Sequence, residues 1–278
     1  MGAGAPRVSD ELWAHVEALL PASKQSQQRR RIGRPPMDPR RAFEGIPYVL
    51  RTGCHWHALP RFYGPPSTVH DTFQRWARAG VCRKFWQVGL RRYDELVGID
   101  WSWQSMDGAM TKAPLGGGKT GRNPTERGKL GVKRSMLTDA RGVPLGVAID
   151  GANRHDNKTV EDTIGSVPVE RPEPIAQEPQ NICLDKGYDY QRVRDSVIEL
   201  RYAPPIRARG EDIPDPRPEG HKPRRWVVER THAWLNRDRR LLVRWEKKAD
   251  NYRAMLHVAC GIVALRAART FATVPMAA

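Results

Sequence analysis

At Ile99 the chain changes its apolar period, and that change limits its architecture more than any other feature. Up to Val97 the apolar residues recur at helical spacing; beyond Ile99 short strand-like runs alternate with helices. The second part runs in the order strand and Asp107, hairpin, helix, strand and Asp185, helix, strand, helix and Glu229. Alternating strands and helices after an all-helical stretch give an α/β class preceded by a small helical domain.

In the first part, residues 8 to 20 form an amphipathic helix capped by Ser9 or Asp10, with Leu12, Trp13, Val16, Leu19 and Leu20 as its stripe. Pro21 ends it. A helix over residues 40 to 52 stops at Thr52-Gly53, a turn covers His55 to Pro60, and a helix capped by Ser67 follows to Ala79. Another runs from about Arg83 to Val97. This set is compatible with a helix-turn-helix unit or with a plain helical domain abutting the rest. Between the first two helices, residues 23 to 39 are nearly devoid of apolar side chains and read as a basic linker. Its Gly33-Arg34-Pro35 core, flanked by Arg29, Arg30 and Arg31, is narrow enough for the minor groove of A·T-rich DNA. The alternative is a linker that touches only phosphates or nothing.

In the second part, the strand Trp101 to Met106 leads to Asp107, and a Gly- and Lys-rich loop from Gly116 to Gly131 combines flexibility with positive charge. Lys133 to Thr138 and Pro144 to Ile149 form a hairpin. A helix over Asp156 to Ile164 follows, then a strand at Ile182 to Leu184 ending at Asp185, where Gly187 permits a sharp turn. After a helix at Tyr190 to Leu200, a strand at Arg201 to Ile206 and a Pro-rich loop, two helices close the chain, Arg225 to Arg240 and about Asn251 to Thr270. The tail from 271 to 278 is expected to be flexible. The domain limits are therefore 1–98 and 99–270.

The 278 residues carry 47 Lys and Arg against 31 Asp and Glu, a formal charge of +16. A field of that sign favours a polyanionic partner. No run approaches ~20 apolar residues, and the N-terminus lacks a signal-peptide core, so a cytoplasmic, nucleoid-associated protein without a membrane partner is expected. The four cysteines form no Cys-x-x-Cys pair, which points to neither a disulfide framework nor a structural zinc site.

The helix Arg225 to Arg240 sets one carboxylate among cations. At ~100° per residue, Arg225, Asn236 and Arg240 fall within roughly 40° of Glu229, with Val227, Trp234, Leu241 and Trp245 opposite. Asp238 falls on the apolar side, which requires an arginine partner or a bend. Trp13, Trp76, Trp226 and Trp245 are expected in the core, and Trp234 or Tyr188 is a candidate for stacking on an unpaired base. Asp107 and Asp185 follow strands, and Glu229 faces outward. Hard divalent cations need a few such oxygen ligands, and two of them side by side suit phosphodiester displacement.

The chain resembles the DDE transposases of bacterial insertion sequences, particularly the group numbered five, with a catalytic domain of the group-four type. The resemblance rests on Leu12-Trp13, Gly33-Arg34-Pro35, Leu50 to Cys54 and Trp56 to Pro60. In the second half it rests on Met106-Asp107-Gly108, Gly151 to Asp156, Leu184 to Asp189 and Val228 to Arg237. It implies an RNase-H-like core, a mixed sheet with flanking helices, in which Asp107, Asp185 and Glu229 are catalytic and hold two Mg²⁺ or Mn²⁺ ions. It also implies cutting and joining of transposon DNA ends by a homodimer or larger synaptic assembly. The family signature is Tyr, two residues, Arg, three residues, Glu, six residues, Lys. Arg225 and Glu229 match it, Lys222 stands for the Tyr and Asn236 for the Lys, with Arg237 one position later.

Double-stranded DNA is then the expected partner, contacted by Arg29, Arg30, Arg31, Arg34, Arg40, Arg41, Lys112, Lys119, Lys129, Lys133, Arg134, Arg225, Arg237 and Arg240. His155 and Asp156 are read as structural, near a helix start. Two other classes compete: a domesticated DNA-binding protein that has lost catalysis, and a metal-dependent nuclease on the same fold.

Overall fold

The computed structural model describes residues 8–21, 37–203 and 226–268. Four helices come first: α1 (Asp10–Glu17), α2 (Pro39–Thr52), α3 (Pro66–Arg78) and α4 (Val81–Val97). Ser9 caps α1 as its sequence predicts, its Oγ accepting from Leu12 N at 3.3 Å. Gly53, in the left-handed region, ends α2. Ser67 is not the cap of α3: Pro66 supplies the first turn, where its missing N–H costs nothing, and Ser67 lies inside. Trp13, Phe43 and Phe85 tie α1, α2 and α4 together, with ring centroids 6.3 and 5.4 Å apart.

The remainder builds one five-stranded sheet, β1 (Trp103–Lys112), β2 (Gly121–Arg122), β3 (Leu130–Thr138), β4 (Pro144–Gly151) and β5 (Asn181–Cys183). β3 pairs antiparallel with β1, β2 and β4, while β1 and β5 run parallel. The sheet is thus mixed, as expected. Of the strand expected at 201–206, Ala203 makes a parallel bridge to Asn181, and residues 204–206 lie outside the described set. Helices α5 (Val160–Gly165), α6 (Gln191–Glu199), α7 (Trp226–Asn236), α8 (Arg239–Leu242) and α9 (Ala249–Ala267) complete the fold.

Three expectations change. β1 does not stop before Asp107 but continues through it to Lys112, because Asp107 to Lys112 pair residue by residue with Met136 to Gly131 of β3. Gly187 sits in a single 3₁₀ turn without positive φ, so no special backbone freedom is used there. The helix expected over 225 to 240 is two: it breaks after Asn236, and Asp238 sits in the break with Arg51 at 3.6 Å. Trp226, the first residue of α7, and Trp245, beyond α8, lie outside the core, at 51% and 42% exposure.

α9 lies along α4, and one apolar core runs through both parts of the chain. The two helices meet at glycines. A Cβ on Gly89 would stand 2.9 Å from the Gly261 carbonyl oxygen, and one on Gly261 would press on the Phe85 ring at 2.7 Å. Such close backbone approach needs residues without side chains.

Candidate active site

Parallel pairing of β1 with β5 runs Trp103 to Asn181, Gln104 to Ile182 and Ser105 to Cys183. Asp107 and Asp185 each lie two residues beyond the last pair of that register, Asp107 inside β1 and Asp185 past the end of β5. Both side chains are partly buried. The Asp107 carboxylate accepts from Gly108 N at 2.8 Å.

α7 crosses this region by packing on β1 and β3. Its buried side consists of Val227, Val228, Thr231, His232 and Leu235. His232 Nε2 lies 3.3 Å from the Asp107 carbonyl oxygen. Burial first, and then the Arg134 charge, push its pKa down to about 3, so the ring is neutral at pH 7. Glu229 stands one turn earlier, exposed, on the edge of α7 that includes His232 and Asn236.

Gly108 separates Asp107 from the other face of the sheet. A Cβ at Gly108 would collide with Asp156 Oδ1, so the Asp-Gly pair and the distant Asp156 belong to one packing unit. Asp156 is held by Lys133 Nζ at 2.9 Å, which also donates to the Arg154 carbonyl at 2.7 Å. Tyr188, on the turn after Asp185, is 1% exposed, which removes it as a base-stacking surface. Its phenol is pushed well above its ordinary range by burial, then by Asp156, Asp107 and Asp185, whose fields converge on it.

Among the described residues no group of three His, Cys, Asp or Glu is close enough to hold a metal ion, so Asp107, Asp185 and Glu229 do not form a ligand cluster in this structure. The donors at Asp107, Asp185 and Glu229 are nonetheless oxygen only, the chemistry a hard divalent cation takes.

The expected phosphate contacts divide by burial. Lys112, Lys119, Lys129 and Arg237 are exposed, as is Arg41 on α2, and Arg40 is partly so. Lys112 faces Glu126 at 3.4 Å, Lys119 faces Asp150 at 3.7 Å, and Arg40 pairs with Asp10 at 2.5 Å. Three others are corrected. Lys133 is consumed by Asp156. Arg240 is 4% exposed and paired with Glu246 at 2.6 Å. Arg134 is 1% exposed and donates to Asn236 Oδ1 at 2.7 Å. None of these three side chains has the exposure that a DNA phosphate requires. Arg29, Arg30, Arg31, Arg34 and Arg225 lie outside the described residues.

Arg122, Arg127 and Arg154 are also exposed beside the predicted lysines, Arg154 with Asp150 at 3.5 Å. What marks them in the sequence is their place in the same basic loop and the Gly151 to Asp156 motif. That loop is pinned rather than loose: buried Arg244 donates to the carbonyls of Gly118 at 2.7 Å and Lys119 at 3.3 Å.

Residues 103–263, more than half of the chain, match the family model described as "Transposase DDE domain". The chain belongs to the DDE transposases of insertion sequences. Residues 8–86 of this transposase match a second model, "Putative transposase of IS4/5 family". The transposase is 38% identical over 148 residues to the "Putative transposase for insertion sequence element IS402" of Burkholderia cepacia, covering 52% of this chain and 68% of that protein. It is 34% identical over 121 residues to the "Insertion element IS402 uncharacterized 16.2 kDa protein" of the same organism, covering 43% of this chain and 82% of that one. No solved structure matches. Membership makes the chain a nucleic-acid-cleaving enzyme with DNA as its partner, and implies the RNase-H-like fold with which the mixed sheet agrees. Among the described residues no helix is long and apolar enough to cross a membrane.

Proposed function

We propose that this transposase cuts the ends of its insertion sequence and joins them to target DNA, with Asp107, Asp185 and Glu229 as its catalytic carboxylates. The observation that supports the reading is the parallel pairing of β1 with β5, which ends at Ser105 and Cys183, each two residues before one of the two aspartates. The contact of His232 with the Asp107 carbonyl is a second support, since Glu229 lies one turn earlier on the same helix.

Asp107 on β1 and Asp185 just past β5 would hold Mg²⁺ or Mn²⁺, and Glu229 would complete the set from α7. The bound ions supply Lewis acidity at the phosphodiester oxygens. Lys112, Lys119, Lys129 and Arg237, with Arg122, Arg127 and Arg154, orient the DNA backbone through its phosphates. Arg40 and Arg41, and Arg29, Arg30, Arg31, Arg34 and Arg225 outside the described residues, extend that contact. The helices before Ile99 read the terminal inverted repeats in helix-turn-helix manner. In the first step water displaces the 3′-oxygen at the element's end, leaving a free 3′-hydroxyl. In the second that hydroxyl attacks a target phosphodiester, forming a new bond to the target's 5′-phosphate and releasing the target's 3′-hydroxyl, with no bond to the protein. Because two ends are joined together, the working form is a dimer or larger assembly on the nucleoid.

Incubation with end-containing DNA, target DNA and Mg²⁺ tests the whole reading. Cleavage with joined product is expected. Cleavage without joining leaves a nuclease, and retardation without cleavage leaves a DNA-binding protein. Asp107→Asn, Asp185→Asn and Glu229→Gln should each lower cleavage by at least ~10³-fold while shifting DNA in a gel as the parent does. Cleavage that survives all three would sink the site assignment.

A further inference from the structure

Arg134 is the anomaly of the core. Its side chain projects from β3 on the sheet face shared with Asp107, since Arg134 pairs with Ala109 and Met136 with Asp107. It is 1% exposed. Among the described residues its one hydrogen bond is the 2.7 Å contact from Nη2 to Asn236 Oδ1, while Nε and Nη1 are buried without a hydrogen-bond partner. A cation so placed destabilises a fold unless it does something the fold needs.

Its partner shows what that is. Glu229, His232 and Asn236 follow one another along one side of α7, at i, i+3 and i+7. The second touches the Asp107 carbonyl of β1 and the third holds Arg134 of β3. These two polar contacts on successive turns fix the far half of α7 against the sheet, while Arg230 and Thr231, beside Glu229, donate to the Arg141 and Gly142 carbonyls at 2.7 Å. Apolar packing through Val228 and Leu235 leaves a helix free to slide or rotate slightly; directional hydrogen bonds from two strands do not.

We propose that Arg134 and Asn236 form a positioning clamp that sets the height and rotation of α7, and with it the distance of Glu229 from Asp107 and Asp185. The clamp rests on the proposed catalytic role of those three acids. Arg134, 1% exposed, acts through Asn236 and α7 rather than on DNA or the reacting atoms.

The test compares Asn236→Leu, which removes the acceptor, with Asn236→Asp, which keeps it. In metal-free protein, Asn236→Leu should speed hydrogen exchange of the α7 amides at least ~10-fold with β1 and β3 unchanged, and Asn236→Asp should not. Titrating Mn²⁺ by electron paramagnetic resonance, Asn236→Leu should bind roughly 10–100-fold more weakly, and Asn236→Asp within about threefold of the parent. In cleavage of end-containing DNA the loss should fall on kcat, with KM unchanged within about twofold. Parental Mn²⁺ affinity and kcat in Asn236→Leu, equal losses in both variants, or a loss confined to KM would each overturn the clamp. Should Asn236→Leu not fold, an Asn236→Asp protein that folds but binds Mn²⁺ as poorly as Asp107→Asn does overturns it too. A parent that neither binds Mn²⁺ nor cleaves refutes the catalytic reading instead, and the exchange experiment still judges the clamp.

Discussion

His257 is the residue whose chemistry reaches furthest beyond its surroundings. It is 9% exposed on α9, stacked on Trp86 with ring centroids 5.4 Å apart. Burial, followed by the Arg253 and Arg83 charges, pushes its pKa down to about 3 from 6.5. The folded state therefore keeps the ring neutral, while the unfolded chain takes up a proton below pH 6.5. Its contribution is complete above that pH and is lost as the pH falls from 6.5 towards 3. The slope is about 1.4 kcal/mol per pH unit for this one group. Urea denaturation from pH 7.5 to 4.5 should show stability falling with acid, and His257→Gln should flatten the curve by about one proton. An unchanged slope in that variant would mean that the ring does not titrate as described. The Arg240 and Glu246 pair, 2.6 Å apart and both nearly enclosed, makes a second residue-scale case. Removing one partner leaves the other charge buried, so Glu246→Ala should cost about 3–5 kcal/mol in the same assay.

At the scale of elements, the instructive failure of sequence reading is the helix of Glu229. Nothing between Asn236 and Arg239 is a Gly or Pro, so the usual stop signals were absent and the helical period ran on to Arg240. What breaks it is tertiary: Arg51 reaches Asp238 from α2, and Arg240 turns inward to Glu246 and to the Cys54 carbonyl at 3.1 Å. Periodicity showed where Glu229 points but not that Arg134 and Arg240 would be enclosed, because burial of an arginine depends on partners distant in the chain. The same limit applied to Asp107, whose place inside β1 is set by β3, whereas Asp185 at a strand end was legible from the short run before it. The basic loop was legible in composition and not in mobility. Its anchoring by Arg244, 1% exposed, gives a test. Arg244→Ala should free the Gly116 to Thr120 segment, and limited trypsin digestion should then cut at Lys119 at least ~10-fold faster. An unchanged cutting rate would place the anchor elsewhere, in the pairing of β2 with β3.

For the molecule as a whole, the change of period at Ile99 marks a change of architecture without marking a break in the core. α9, the last element of the second part, packs along α4, the last helix of the first, and Trp86 Nε1 donates to the Pro144 carbonyl of β4 at 3.1 Å. Gln87 Nε2 reaches the Pro168 carbonyl at 2.7 Å, and Lys248 meets Gln74 at 3.0 Å. Two domains joined by a linker would bury little between them and unfold separately. Here the helices before Ile99 cover the flank of the sheet domain, and removing them would expose the α9 face that includes His257, Gly261, Ala264 and Leu265. Calorimetry of the whole chain should therefore give one transition, and a chain starting at residue 99 should lose tertiary near-ultraviolet dichroism and bind a hydrophobic dye. Two resolved transitions, or a truncated chain that unfolds cooperatively at the parental temperature, would show that the helical part is an appendage. A shared core has a functional consequence as well. It fixes α2, with Arg40 and Arg41, relative to the strand that carries Asp107, so under the proposed function the DNA contacts and the carboxylates keep one mutual distance and angle.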